Sequence, residues 1–225
     1  CLEPDVISYS AGVSACEKAG NWQLGLALLG DVQEARMDPD VIICNAGISG
    51  CGKGTAWQQA LSLFSHMKEV NLEPDVISYS AGISAVEKGG AWQSALMLLE
   101  DVQETSVELD LVVYNAAISA CGNGMAWQQA LSLFSDVQKA NLQPDVFSYS
   151  AGISACEKSK QWERALSLFS ELRDVTLEPN VVMYNVGMSA CEKGGQWEQA
   201  LSLHGELCKA KLSPDVISYN AAISA

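Results

Sequence analysis

Two histidines, His66 and His204, are all that 225 residues offer for imidazole chemistry, and neither has an acidic or nucleophilic partner that recurs beside it. There is no C-x-x-C and no phosphate-cradling glycine loop; Gly52 and Gly54 simply flank Lys53 in a linker. Cys44 and Cys51, the closest cysteine pair, have no histidine nearby, which argues against a zinc site. No metal and no cofactor is therefore expected. No apolar run reaches the length of a membrane span, so no membrane partner is expected, and no basic segment followed by an apolar one opens the chain. Positive charge is scarce: 13 Lys and Arg stand against 27 Asp and Glu, a formal net charge of −14. That balance has the wrong sign for long-range attraction to a polyanion. What remains is a chain with 48% hydrophobic residues and no low-complexity segment, which has the material for a core.

Repetition organises that material. Pro4, Pro39, Pro74, Pro144, Pro179 and Pro214 fall on a 35-residue ruler, with Leu109 where one proline is missing. All six tryptophans, Trp22, Trp57, Trp92, Trp127, Trp162 and Trp197, keep the same step. So do Tyr9, Tyr79, Tyr114, Tyr149, Tyr184 and Tyr219, with Cys44 substituting once. Such a period marks a solenoid. Five cysteines, Cys16, Cys51, Cys121, Cys156 and Cys191, share one repeat position that Val86 fills in the other copy. They read as small core residues in a reducing compartment rather than as a disulfide framework.

Within a unit, "PDVISYSAGISACEKGG"-type phrases predict a first helix that starts after Pro-Asp and, in the third copy, ends at Lys88 before a Gly89–Gly90 break. "AWQSALMLLEDVQE" predicts a second helix whose apolar stripe is Trp92, Ala95, Leu96, Leu98, Leu99 and Val102. A hairpin of this size cannot bury both helices alone, so stacking must complete the core. The expected fold is all-α, an α–α superhelix (solenoid) of helical-hairpin repeats. The repeats are 6–40, 41–75, 76–110, 111–145, 146–180 and 181–215, with a partial copy at 216–225, and together they form a single solenoid segment. The chain opens at Cys1 and stops inside the repeated phrase, as expected of a segment of a longer protein.

Period and pattern together resemble the pentatricopeptide repeat family, whose units run roughly V-x-Y-N-x-x-I-x-x-x-x-K-x-G-x-x-x-x-A-L-x-L-F-x-x-M and close with Pro-Asp. Val112 to Val137 and Val76 to Val102 both carry that pattern. Tetratricopeptide repeats, the competing hairpin family, place tryptophan early in the first helix, whereas here it opens the second. The chain departs from the family pattern where Gly82 and Ala117 occupy a position at which leucine is common.

The resemblance implies a partner, single-stranded RNA, read one base per repeat. It assigns base reading to the residue after the tyrosine and to the closing residue of the repeat. The first set is Ser10, Asn45, Ser80, Asn115, Ser150, Asn185 and Asn220; the second is Asp40, Asp75, Asp110, Asp145, Asn180 and Asp215. By the family's code these pairs spell 5′-GUGUAU-3′. The resemblance assigns base sandwiching to Ile7, Ile42, Ile77, Val112, Phe147, Val182 and Ile217, and phosphate contact to Lys18, Lys53, Lys88, Lys158 and Lys193, with Asn123 in the fourth unit. It also implies organellar RNA processing, stability or editing, in a mitochondrion or plastid, by a protein that is not itself an enzyme.

Each set has a purely structural alternative. The closing Asp after proline is a good N-cap, the lysines suit a helix C-terminus, and the branched residues could simply pack. A protein-binding scaffold is the second functional reading, since the acidic surface suits a basic protein partner. Exchanging the readers separates the two: only an RNA-reading surface changes its ligand preference with them.

Overall fold

The computed structural model describes residues 5–35, 37–105, 107–175 and 177–225, apart from the side chain at 103. Pro4 therefore lies outside the described residues. Thirteen helices and no strand occur among them. First helices are α1 (Val6–Ala19), α3 (Val41–Lys53), α5 (Val76–Gly89), α7 (Leu111–Asn123), α9 (Val146–Lys158), α11 (Val181–Lys193) and α13 (Val216–Ser224). Second helices are α2 (Trp22–Glu34), α4 (Trp57–Glu69), α6 (Trp92–Gln103), α8 (Trp127–Lys139), α10 (Trp162–Asp174) and α12 (Trp197–Lys209).

Each first helix starts because the preceding Asp or Asn accepts an otherwise orphaned backbone N–H. Asp40 accepts from the Ile43 N–H at 2.8 Å, Asp75 from Ser78 at 2.8 Å and Asn180 from Met183 at 3.0 Å. At Asp75, Asp145 and Asp215 the serine three residues on also accepts from the cap's own N–H, completing a reciprocal box.

The chain divides into two compact units, Cys1–Ala120 and Cys121–Ala225. In the first unit α1, α3 and α5 stack in sequence, each hairpin closes on itself, and α2 and α4 also pack against the first helix that follows them. In the second unit α9, α11 and α13 stack in the same way, with α8, α10 and α12 each against the following first helix.

The core repeats with the sequence. Cys16, Cys51, Cys121, Cys156 and Cys191 are buried beside Val86, and all are free thiols. Burial pushes the thiols of Cys51, Cys121, Cys156 and Cys191 up to about 11, so they stay protonated and apolar in character. Of the stripe expected on α6, Ala95, Leu98, Leu99 and Val102 are buried, whereas Trp92 and Leu96 are half-buried. A phenylalanine of one second helix meets the tyrosine of the next first helix edge-on, at 5.0 Å for Phe64–Tyr79 and 4.9 Å for Phe134–Tyr149. His204 takes the phenylalanine position in α12 and packs on Tyr219 at 5.3 Å, a packing role.

The glycines explain the close approach of helices. A Cβ on Gly52 would lie 3.0 Å from the Ala85 Cβ, and one on Gly82 would lie 3.2 Å from the Leu98 Cδ1. The leucine common at that family position is replaced here by a leucine reaching in from the second helix. The expected break at Gly89–Gly90 needs a correction. The helix runs through Gly89, and only Gly90, at φ 69°, provides the left-handed cap. Gly89 has another reason to be glycine: a Cβ there would fall 2.1 Å from the Trp57 ring. Gly54 meets Trp22 and Gly194 meets Trp162 in the same manner. Each of these tryptophans opens a second helix and lies flat on the end of the first helix one repeat later.

Gly89→Ala should therefore lower the urea midpoint by an amount equivalent to about 1–3 kcal/mol, because the ring must move. Gly30→Ala, at a position in α2 with nothing within 4 Å of the added carbon, should raise it by about 0.5–1 kcal/mol.

Candidate nucleic-acid interface

Helices α3 and α5 bring expected readers, branched residues and lysines together. In the first unit a groove of about 490 Å³ is lined by Ile42, Asn45, Lys53, Ile77, Ser80 and Lys88, together with small residues of α1, α3 and α5. Side chains from three sets assigned separately in the sequence thus share one concavity.

The branched set is where structure separates the readings most clearly. Ile7, Ile42, Ile77, Val112, Phe147, Val182 and Ile217 are between 58% and 78% exposed. They do not pack into the core, which removes the bland alternative for these positions. Seven large apolar side chains at one repeat position are thus held in water.

The readers differ in burial. Asn45 and Asn185 are buried at 8% and 7% exposure; Ser10, Ser80, Asn115 and Ser150 are half-buried, and Asn220 is exposed. The Asn45 amide donates to the Asp75 carboxylate at 3.1 Å, and its carbonyl accepts from the Ser78 hydroxyl at 2.7 Å. The Asn185 amide donates to Asp215 at 3.0 Å and its carbonyl accepts from Ser218 at 2.6 Å. One carboxylate, Asp75 or Asp215, therefore caps a helix and also bonds the asparagine at the expected reader position one repeat earlier. Each asparagine keeps one N–H and one lone pair for another molecule. Among the other closing residues, Asp40, Asp110 and Asn180 are exposed and Asp145 is half-buried.

Asp75 feels opposing forces. Burial pushes its pKa up, but the Ser78 N–H and hydroxyl and the Asn45 amide outweigh that and hold it below its ordinary 3.8. At Asp215 the N–H and hydroxyl of Ser218 do the same, helped by Asn185.

All five lysines are exposed, as is Asn123. They are not equivalent. Lys53 donates to Glu17 of the preceding repeat at 3.0 Å, and Ser49 donates to the same oxygen at 2.7 Å. Lys193 and Ser189 engage Glu157 at 2.5 and 2.7 Å in the same way. Burial pushes the Glu17 carboxyl up, and Ser49 and Lys53 overcome it and hold it below its ordinary value. Gly52 and Gly122 occupy the glutamate's place in the repeats preceding Lys88 and Lys158; Lys158 reaches Asn123 at 2.7 Å instead. Glu17 and Glu157 are contributors that adjacency in sequence alone does not reveal, since their lysine partners lie one repeat away.

Acids of the second helices are paired as well. Tyr79 donates to Asp101 at 2.7 Å, and Asp101 also binds Lys68; Arg173 binds Glu206 at 2.9 Å. Burial first, and then Asp101, push the Tyr79 hydroxyl far above its ordinary value; burial and Glu171 push Tyr149 up to about 12. His66 bonds Gln33 at 2.8 Å on this same set of helices. Among the described residues no cluster of three His, Cys, Asp or Glu could hold a metal ion, and no helix is long and apolar enough to cross a membrane.

Family models agree with this architecture. The model described as a pentatricopeptide repeat domain matches residues 132–194, the PPR repeat family matches 39–88 and 179–225, and the PPR repeat matches 112–142. The chain belongs to the pentatricopeptide repeat family. Among solved structures it is similar to the maize pentatricopeptide repeat protein PPR10, with 25% identity and a TM-score of 0.78 over 99% of this chain and 32% of that one. PPR10 in complex with an 18-nt psaJ RNA element is also similar, at 20% identity and TM-score 0.62, over 99% of this chain and 36% of that one. The PPR domain of Arabidopsis thaliana protein-only RNase P 1, in complex with tRNA, matches at 12% identity and TM-score 0.67, over 77% of this chain and 91% of that one. The chain spans about a third of the length of PPR10. Compared with curated protein sequences, it has no match. The fold class is that of these proteins, an all-α superhelix of pentatricopeptide hairpins.

The caps of this family member should respond to acid in one direction. Because Asp75 sits below 3.8 in the folded chain, its contribution is complete above that pH and is lost as pH falls through the lower folded value. The difference in urea midpoint between wild type and Asp75→Ala should stay constant from neutral pH down to the ordinary aspartate value and close below it.

Proposed function

We propose that this chain binds single-stranded RNA in a base-selective manner, one base per repeat. The exposure of an apolar side chain at this one position of every repeat, from Ile7 to Ile217, is the observation that carries the reading. A side chain kept in water at every repeat has no use in folding, and bases inserted between successive members would cover it. Between Ile42 and Ile77 in sequence stands Asn45, whose remaining N–H and lone pair would face a base edge within the groove. Lys53 and Lys88 line the same groove and would meet the backbone phosphates.

The reader pairs give 5′-GUGUAU-3′: Ser with Asp for G, Asn with Asp for U, Ser150 with Asn180 for A. The family supports a role in organellar RNA processing, stability or editing, in a mitochondrion or plastid, with any catalysis supplied outside these repeats. The RNA named in the descriptions of PPR10 and of the RNase P domain supports the choice of ligand class. Acidic charge remains compatible with binding, because Asp101, Glu171 and Glu206 belong to second helices and engage Lys68, Gln138 and Arg173 there.

Labelled GUGUAU-containing RNA should bind more tightly than a composition-matched scramble across a salt series. Asn115→Ser should move the preference at the fourth base from U to G. Absence of binding by a folded protein would favour the scaffold reading. Glu17→Gln and Glu157→Gln release Lys53 and Lys193 from their ion pairs. Both should tighten RNA binding and steepen its logarithmic salt dependence by about 0.7 for each lysine newly engaged.

A further inference from the structure

Residues three places into each first helix alternate along the chain: Ile43, Ser78, Val113, Ser148, Met183 and Ser218. All six are fully buried. The readers of the preceding repeats alternate in step, as Ser10, Asn45, Ser80, Asn115, Ser150 and Asn185. Every asparagine reader is thus followed by a buried serine, and every serine reader by a buried apolar residue. We propose that Ser78 and Ser218 are positioning residues for base selection, fixing the amide of the asparagine reader one repeat earlier so that it presents a single hydrogen-bonding pattern.

The geometry supplies the reason. An asparagine side chain can rotate and exchange its donor and acceptor ends, and only its partners decide which end faces out. At Asn45 two partners act together. The Asp75 carboxylate can only accept, so it takes the amide end; the single Ser78 hydroxyl proton has the Asn45 oxygen at 2.7 Å and the Asp75 carboxylate at 2.9 Å, and in the shorter contact it donates to the carbonyl end. The reversed amide would set its oxygen against the carboxylate and would remove the acceptor that the Ser78 proton has at 2.7 Å. Asn185, Asp215 and Ser218 repeat the arrangement at 3.0 and 2.6 Å.

The reverse dependence also holds. A buried serine hydroxyl needs a partner, and a buried asparagine carbonyl needs a donor, so each residue disfavours an apolar replacement of the other. The shorter serine readers make no such demand, and Ile43, Val113 and Met183 fill the place instead. A serine at the third place is not merely a capping device, because Asp40 and Asn180 cap their helices onto Ile43 and Met183 without one. The proposal rests on the RNA reading above and extends it by a residue outside the two reader positions.

The test compares full-length wild type with Ser78→Ala, Ser218→Ala and Ser8→Ala on GUGUAU RNA and on RNAs with one base replaced. Ser8 donates to its cap Asp5 at 2.7 Å and serves as the capping control. Ser78→Ala should reduce discrimination for U at the second base alone, and Ser218→Ala at the sixth base alone, each by about fivefold. Ser8→Ala should leave every base ratio unchanged. In the opposite direction, Ser80→Asn should select U at the third base about fivefold better when combined with Val113→Thr, which supplies the missing hydroxyl, than when alone.

Unchanged ratios in both serine variants, or a uniform loss at all bases, would overturn the proposal and leave Ser78 and Ser218 as caps. Side-chain amide NMR of Asn45 without RNA keeps the two levels apart. A shift of its side-chain carbonyl carbon resonance in Ser78→Ala supports the positioning contact, and an unchanged resonance overturns it. Failure of wild type to prefer GUGUAU, with that contact intact, overturns the RNA reading and the selectivity built on it.

Discussion

A carboxylate at the joint between repeats is the element on which most of this structure depends. The last residue of one repeat lies where the next first helix must begin, and four unsatisfied N–H groups at that start demand an acceptor. Asp75 meets the demand from Ser78 and with its remaining capacity holds Asn45. Local helix initiation, the contact between neighbouring hairpins and the orientation of a buried amide therefore share one side chain. A change made for any one of these purposes is felt in the other two.

The same economy governs the tryptophans and glycines. Trp57 lies on the backbone at Gly89, and the neighbouring Gly90 supplies the left-handed turn that frees the chain for the second helix. Small residues along the first helices, such as Gly52 against Ala85, let them stack closely, while bulky side chains of the second helices fill the space behind them. This division leaves one residue per first helix, Ile42 or Phe147 for example, with no place in the core. Surface chemistry is thereby built at positions that packing does not constrain.

Much of this was legible in the sequence because it repeats. The 35-residue step gave the hairpins, the cysteine position gave a core layer, and the residues around each tyrosine gave the family resemblance. What escaped were contacts between residues separated by nearly one full repeat. Lys53 bonding Glu17 and Ser78 bonding Asn45 depend on how far one hairpin advances past the last, a distance that no local pattern records. Gly89 was visible as a breaker, but its true constraint, the Trp57 ring, comes from the repeat before. The branched residues stayed ambiguous because isoleucine suits a core as well as a surface, and only the folded chain shows that they lie outside the core.

Alternation between Asn45 with Ser78 and Ser80 with Val113 bears on how such a protein can be rebuilt. A hairpin transplanted alone carries its reader to one new junction and its buried third residue to another, so a single exchange can mismatch both edges at once. Exchanged as adjacent couples, hairpins keep the complementary edge inside the cassette. For this architecture the unit that can be exchanged without mismatching an edge is therefore the doublet.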